Sequence, residues 1–386
     1  MKYITPKKQI PIMKRSKLKV ITVVGTRPEI IRLSEIIKKM EKLFFHKLIF
    51  TNQNFSKELS HNFFKELSIR KPDYIFDIKN KSVGQFYGDV LIHSEKIFIR
   101  DKPDAIVLLG DTNSSISALI AKRMGIPVFH LEAGNRCFDN NVPEELNRKM
   151  VDSISDFNLV YTNHAKLNLL SEGFDKRRIF IIGSPLNEVL KAHKKKINSS
   201  KILNKLKLKK NKYFLISIHR EENVDNEEKI KILISTIKSL EKNYNFKIII
   251  TNHPRFKKQS LILKNSKKIL LCKPFGYLDY IKLQKNAYCT LSDSGTIAEE
   301  CSIFNFPAVC IRDSIERPEA LDSGSIILTG INEKNIINSI ELTKNLNKNS
   351  NEIPADYSIG NTSDRVVKII QGLSNLKNSW LGIDNK

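Results

Sequence analysis

The chain has 386 residues, 41% of them hydrophobic, and a formal net charge of +24. That length suggests two domains of ordinary size with real cores. The charge invites a nucleic-acid partner, but lysine is spread along the whole chain, with no arginine-rich tract, zinc-finger spacing or interleaved aromatic patch. No nucleic-acid partner is therefore expected, and a basic surface would instead favour an anionic substrate or membrane face. The five cysteines (Cys137, Cys272, Cys289, Cys301, Cys310) form no CxxC pair and have no histidine at metal spacing. Reduced thiols in a cytoplasmic protein, with no metal site, are expected. No apolar stretch follows the basic first residues, so no signal peptide is expected. No apolar run approaches ~20 residues, so no membrane span is expected either.

Residues 1–16 read as a disordered basic tail. Lys17–Val24 is the first strand, followed by Gly25-Thr-Arg-Pro-Glu and a helix from Pro28 to about Lys42. Strand, glycine turn and helix start make an anion-binding arrangement, although neither GxGxxG nor GxxxxGK[ST] is present. Arg27 sits in this loop and Arg32 one turn into the helix. A strand over HKLIFTNQ and helices near 56–67 and 83–100 follow. The next strand starts at Asp104 and ends in Gly110-Asp111-Thr112, where Asp111 is either an N-cap or a site carboxylate.

The stretch 130–148, HLEAGNRCFDNNVPEELNR, is the densest in charge. Ile126-Pro-Val-Phe before it reads as a short buried strand, so Glu132 falls at a strand end, where open α/β sheets hold ligands. Pro143 opens a helix with Glu144 and Glu145 in its first turn. Glu144 and Arg148 are i,i+4 and are expected to share a face. FNLVYTNH, a helix and IFIIGSP complete the first βαβ series. Residues 191–212, almost free of acids, break the pattern and mark a domain junction. A second series runs through YFLISIH, KIIITNHP, ILLCKPF, AYCTLSDSG, PAVCI and SIILTG, with helices near 225–243, 278–286 and 296–304. The expected fold class is α/β, with two Rossmann-like doubly wound domains (17–190 and 191–361) facing a cleft.

In the second series, His219-Arg-Glu-Glu-Asn follows a strand directly, and His253 ends the next strand in the same way. Both are candidates for a site. Ser292-Asp-Ser-Gly-Thr-Ile-Ala-Glu-Glu300 reads as strand end, turn and helix N-terminus. Backbone N–H groups of Ser294, Gly295 and Thr296 can cradle a diphosphate, although a plain capping box has the same pattern. Glu299 or Glu300 could reach a ribose diol, and Arg317 supplies a further cation.

The ordered set GTRPE (25–29), GDT (110–112), HLEAG (130–134), PEELNR (143–148), HREEN (219–223), SDSG (292–295) and ERPEA (316–320) resembles the UDP-N-acetylglucosamine 2-epimerase family over about residues 17–330. The resemblance implies the two-domain glycosyltransferase-B fold, a UDP-sugar substrate, no cofactor and an active site between the domains. It implies a final helix packed back on the first domain, for which residues 362–373 are the candidate, and a homodimer is expected. It also implies elimination of UDP across C1–C2 of the sugar and re-addition with C2 inverted. Asp111, Glu132, Glu144 and His219 match the family's acid/base positions, Arg27 and Arg148 its basic groups, and Ser294, Gly295 and Glu300 its UDP-binding turn. Thr51-Asn-Gln-Asn54 and Glu221 depart from the pattern of members activated by their own substrate. Asn135-Arg-Cys-Phe-Asp resembles the branch that converts UDP-2-acetamido-2,6-dideoxy-L-talose to UDP-N-acetyl-L-fucosamine for surface polysaccharide.

Competing readings have their own signatures. A glycosyltransferase of the same fold needs an acceptor, and a hydrolysing epimerase releases free sugar and UDP. Carboxylates at four separate strand or helix ends argue against a non-enzymatic basic binding module.

Overall fold

The computed structural model describes residues 17–53, 63–78, 82–139, 142–218, 220–252, 262–263, 266–346 and 352–377. The expected tail, most of the helix expected near 56–67, Asn54, His219 and His253 lie outside these residues. Strand β1 (Lys19–Val24) is buried from its second residue onward, as a β-branched strand covered on both faces should be. It belongs with β2 (Phe45–Phe50), β3 (Tyr74–Ile75), β4 (Ala105–Leu109), β5 (Val128–Leu131), β6 (Phe157–Val160) and β7 (Ile179–Ile181). These form one sheet in the order β3-β2-β1-β4-β5-β6-β7. A second sheet contains β8 (Tyr213–Ile218), β9 (Lys247–Asn252), β10 (Ile269–Cys272), β11 (Cys289–Ser292), β12 (Ala308–Cys310) and β13 (Ile327–Leu328). Its order is β10-β9-β8-β11-β12-β13.

All strand pairs in both sheets are parallel. The winding reverses between β1 and β4 in the first sheet and between β8 and β11 in the second. Those two reversals are where doubly wound sheets open a crevice at their strand C-termini. The GTRPE and GDT loops border the first, and the SDSG turn borders the second.

The helices include α1 (Arg27–Leu43), α2 (Val83–Asp101), α3 (Ser117–Arg123), α4 (Pro143–Ile154), α5 (Asn163–Ser171), α6 (Pro185–Ser199), α7 (Glu227–Asn243), α8 (Tyr277–Asn286), α9 (Ile297–Phe304), α10 (Glu333–Asn345) and α11 (Thr362–Leu373). No described helix is long and apolar enough to cross a membrane. Two features differ from the sequence reading. The edge strand β3 was not expected, because two residues are too few to show an alternation. The acid-free stretch from 191 begins inside α6, where Leu190, His193 and Ile197 are buried and the lysines between them are exposed. Apolar spacing outweighs charge there.

Helix α11 packs on α1 and α6. Its Val366, Val367 and Ile370 share one apolar cluster with Ile30, Leu33 and Ile37 of α1 and Leu186, Val189 and Leu190 of α6. Tyr277, Leu278 and Ile281 of α8 join the same cluster, so apolar packing runs from one sheet's layer into the other's.

Candidate active site

The strand ends are built for close approach. A Cβ on Gly25 would lie 1.7 Å from Ser114 Oγ and 2.4 Å from Thr51 Oγ1, so no other residue fits at the end of β1. Thr26 and Glu29 form a capping box at the start of α1. The buried Glu29 carboxyl accepts from Gly25 N (3.0 Å), Thr26 N (2.7 Å), Thr26 Oγ1 (2.7 Å) and Thr112 Oγ1 (3.1 Å). Burial pushes it up to about 7 against those hydrogen bonds. Arg27 opens α1 with its guanidinium 4.7 Å from the Phe63 ring centroid. It makes no ion pair among the described residues. Burial lowers it from its ordinary value, although Tyr280, Glu66 and Glu300 oppose this. A half-buried cation without a carboxylate partner is suited to an anionic ligand.

Behind the central stretch, His130 lies fully buried. Its Nδ1 is 2.9 Å from Asp152 Oδ1 and its Nε2 is 2.9 Å from Gly110 O. Asp152 also accepts from Gly134 N and pairs with Arg136 Nη2 at 2.8 Å. The end of β4 and the turn after β5 are thereby tied together. Gly134, at φ 75°, leaves only 2.2 Å between a Cβ and Ala165 O. Glu132 holds φ 65°, a left-handed conformation that costs a non-glycine residue of order 1–3 kcal/mol. Strain of this kind collects at functional sites.

Asp111 pairs with Arg148 Nη2 at 2.6 Å. The expected Glu144–Arg148 pair is not the one that forms. Arg148 Nη1 bonds Glu145 Oε2 at 2.9 Å, because Glu145 faces inward and also accepts from Cys137 N at 3.2 Å. Glu144 remains exposed. Protein walls it closely enough that loss of water, and then Asp111, raise its carboxyl.

Across the cleft, four buried charges interlock. Arg32, expected to face a ligand, is only 2% exposed. It bonds Glu299 through both terminal nitrogens, Nη1 to Oε1 at 3.0 Å and Nη2 to Oε2. Its Nε lies 3.5 Å from Glu132 Oε2. Arg317 Nη2 donates to Glu132 Oε1 at 2.8 Å, its Nε to Glu299 Oε2 at 2.8 Å and its Nη1 to Glu316 Oε1 at 2.7 Å. Burial pushes the Glu299 carboxyl up, but Arg32 and Arg317 outweigh it and hold the group at about 2. Glu132 thus meets a cation from the second sheet directly. Its Oε2 and the buried Tyr161 hydroxyl lack hydrogen-bond partners among the described residues.

The turn after β11 departs from expectation. Ser294 N donates to Ser292 Oγ at 3.0 Å and Thr296 N to Ser294 Oγ at 3.4 Å, so two of the three expected cradle amides are engaged within the turn. Glu299 is taken up by the cross-cleft pairs. Glu300 is buried, accepts from Gln284 Nε2 at 2.6 Å and is raised by burial.

The cleft brings together Asp111, Glu132, Glu144, Arg27, Arg148 and Arg317. Carboxylates gathered in one cleft can remove and return a proton, and guanidinium groups can hold a departing anion. No group of His, Cys, Asp or Glu with metal-holding geometry occurs among the described residues. Glu145 and Glu316 belong to quoted motifs but were not singled out, and nothing in the sequence marks Tyr161.

Known proteins place this arrangement. The family profile described as UDP-N-acetylglucosamine 2-epimerase matches residues 38–371. A UDP-N-acetylglucosamine 2-epimerase of Methanocaldococcus jannaschii is 38% identical over 366 residues, 92% of this chain and 99% of that one. A structure of UDP-N-acetylglucosamine 2-epimerase from Rickettsia bellii is 41% identical, with a TM-score of 0.87 over 94% of this chain and 98% of that one. A crystal structure of the Methanocaldococcus jannaschii enzyme in complex with UDP-GlcNAc and UDP is 37% identical, with a TM-score of 0.86 over 92% of this chain and 100% of that one. The chain therefore belongs to the UDP-N-acetylglucosamine 2-epimerase family, and it is an epimerase with the glycosyltransferase-B fold.

Proposed function

We propose that the chain inverts C2 of a UDP-2-acetamido sugar by eliminating UDP and adding it back. UDP-N-acetylglucosamine and UDP-N-acetylmannosamine are the pair favoured by the names of its relatives. The observation that carries the mechanism is the convergence of Asp111, Glu132 and Glu144 on one cleft, with Arg148 on Asp111 and Arg317 on Glu132. The C2 proton of such a sugar is not acidic, so it leaves only as the C1–oxygen bond breaks. A carboxylate base takes the proton, the C1–O electron pair departs on UDP, and a C1=C2 glycal remains. An acid on the opposite face then delivers a proton to C2 as the UDP oxygen returns to C1. Arg27 and Arg148 would stabilise the diphosphate leaving group, and Ser294, Gly295, Thr296 and Glu300 would hold the nucleotide. His219 and His253 enter on the sequence alone.

Turnover in D₂O tests this reading. Product should carry deuterium at C2, and a trace of glycal and free UDP should be trapped. A product without deuterium, with no glycal at any time, would rule out elimination.

A second substrate, UDP-2-acetamido-2,6-dideoxy-L-talose, is favoured by Asn135-Arg-Cys-Phe-Asp. Buried Asn135 places its Nδ2 3.5 Å from Glu132 Oε1, beside the candidate base. Product analysis over a panel of UDP-2-acetamido sugars separates the two, and neither should need UDP-N-acetylglucosamine as an activator. The enzyme is proposed to work in the cytoplasm as a homodimer. Ile92 and Ile99 of α2 and Leu119 of α3, between 37% and 59% exposed, offer an apolar face for the second copy. Sedimentation equilibrium reads the mass.

A further inference from the structure

Glu316 is 5% exposed, yet it sits among guanidinium groups. Its Oε2 is 2.7 Å from Arg312 Nη1. Its Oε1 is 2.7 Å from Arg317 Nη1 and 3.6 Å from Arg220 Nη2. Burial alone would raise its carboxyl, but Arg312, Arg317, Arg220 and Arg148 outweigh burial and hold it well below the ordinary range. Several cations face this one carboxylate, although Arg317 is shared with Glu132 and Glu299. Arg312 is 2% exposed, and its Nη2 has no hydrogen-bond partner among the described residues.

A second observation ties this cluster to the nucleotide turn. A Cβ on Gly295 would lie 2.2 Å from Glu316 Oε1 and 2.7 Å from Arg317 Nη1. The backbone of the turn therefore rests on this ion pair. Arg317 in turn reaches Glu132, and Arg220 N donates to Asp293 Oδ2 at 2.9 Å on the same turn. We propose that Glu316 is a positioning residue for the diphosphate: a fixed counter-anion that aligns Arg312, Arg317 and Arg220 beside the Ser294–Gly295 turn and limits their net charge, so that UDP is held through elimination and still released. This rests on the elimination reading above.

An anion buried beside guanidinium groups offsets their attraction for a second anion. Neutralising it strengthens UDP binding, provided the cations stay in place. A part that only supports the fold gives the opposite sign, because loosening the cations weakens binding. Glu316→Gln keeps the shape and removes the charge, whereas Glu316→Asp keeps the charge and shortens the arm.

The test is calorimetric titration of UDP into the parent enzyme and both variants, with steady-state kinetics on the same samples. Glu316→Gln should bind UDP about tenfold tighter, equivalent to 1.4 kcal/mol, with kcat and KM both lowered because product leaves slowly. Glu316→Asp should bind UDP no tighter than the parent and should keep more of kcat than the Gln variant. A Gln variant that is folded by circular dichroism but binds UDP equally or more weakly overturns the proposal. If the Gln variant does not fold, the Asp variant decides: UDP bound more tightly than by the parent would overturn it. A parent enzyme that binds no UDP would instead defeat the elimination reading, which keeps the two failures apart.

Discussion

Glu132 combines a left-handed backbone, near-complete burial, an arginine from the second domain and one carboxylate oxygen without a hydrogen-bond partner among the described residues. A group held this firmly has little freedom to be replaced. Glu132→Gln keeps the volume and an acceptor for Arg317 but cannot shuttle a proton. Turnover should fall by about 10²-fold or more, the scale of a lost general acid or base, while single-turnover assays detect more free glycal. Unchanged turnover would return Glu132 to a structural role. Arg32 sharpens the contrast between ligand contact and scaffold. A substrate ligand lost to Arg32→Met would raise KM and leave stability alone. The bidentate pair with Glu299 implies the reverse, because removing one partner of a buried pair costs up to about 3–5 kcal/mol, even with Arg317 still bonded to Glu299. Urea unfolding of Arg32→Met should show that loss, and a stable variant with only a raised KM would restore Arg32 to the substrate.

Helix α1 shows how an element's terminus can carry a pH response. Glu29 rises from its ordinary 4.5 to about 7 on folding. Between those values the folded chain keeps the proton that the unfolded chain has already released, so the folded state binds more protons. The contribution of Glu29 is therefore fully present below about pH 4.5 and is lost as pH rises through about 7, by roughly 3 kcal/mol. Measured by urea unfolding, the parent should lose about that much relative to Glu29→Gln between pH 4.5 and pH 8. A constant difference between the two would exclude the effect.

Elements of this kind were legible in the sequence. Most strands run to four to six β-branched or apolar residues and alternate with amphipathic helices, and each quoted motif falls at the end of a strand or the start of a helix. What stayed hidden was which of two adjacent residues turns inward. Glu144 and Glu145 differ by about 100° around a helix, and only Glu145 is buried. The docking of that helix chooses between them, and one chain segment alone contains no record of its docking. The positive φ of Glu132 was hidden for the same reason, since a glutamate does not advertise a left-handed turn as a glycine does.

At the scale of the whole molecule, the two sheets are joined by unlike contacts. One is the apolar seam in which Tyr277, Leu278 and Ile281 of α8 enter the first sheet's core cluster. The other is the set Arg32, Glu132, Glu299 and Arg317, which closes directly across the cleft. The seam has no polar requirement and can act as a pivot, whereas the charged set must be broken for the cleft to open. Arg317→Met should therefore loosen closure without unfolding either half. Small-angle scattering should give a larger radius of gyration for this variant than for the parent in the absence of UDP, with the gap narrowing at saturating UDP. Identical profiles throughout would show that the charged set does not hold the cleft closed.

The return of the chain to its starting layer has a mechanical consequence. Two strands of backbone cross between the halves, one after α6 and one before α11. The second is pinned where Asn187 Nδ2 donates to Ile359 O at 3.1 Å and where Gly183 leaves 2.6 Å between a Cβ and Ile359 Cβ. A body hung on two straps swings most readily about the line joining them and resists twisting about other axes. Substrate entry then becomes a one-dimensional gate, and severing either strap alone leaves the halves attached but frees the twist.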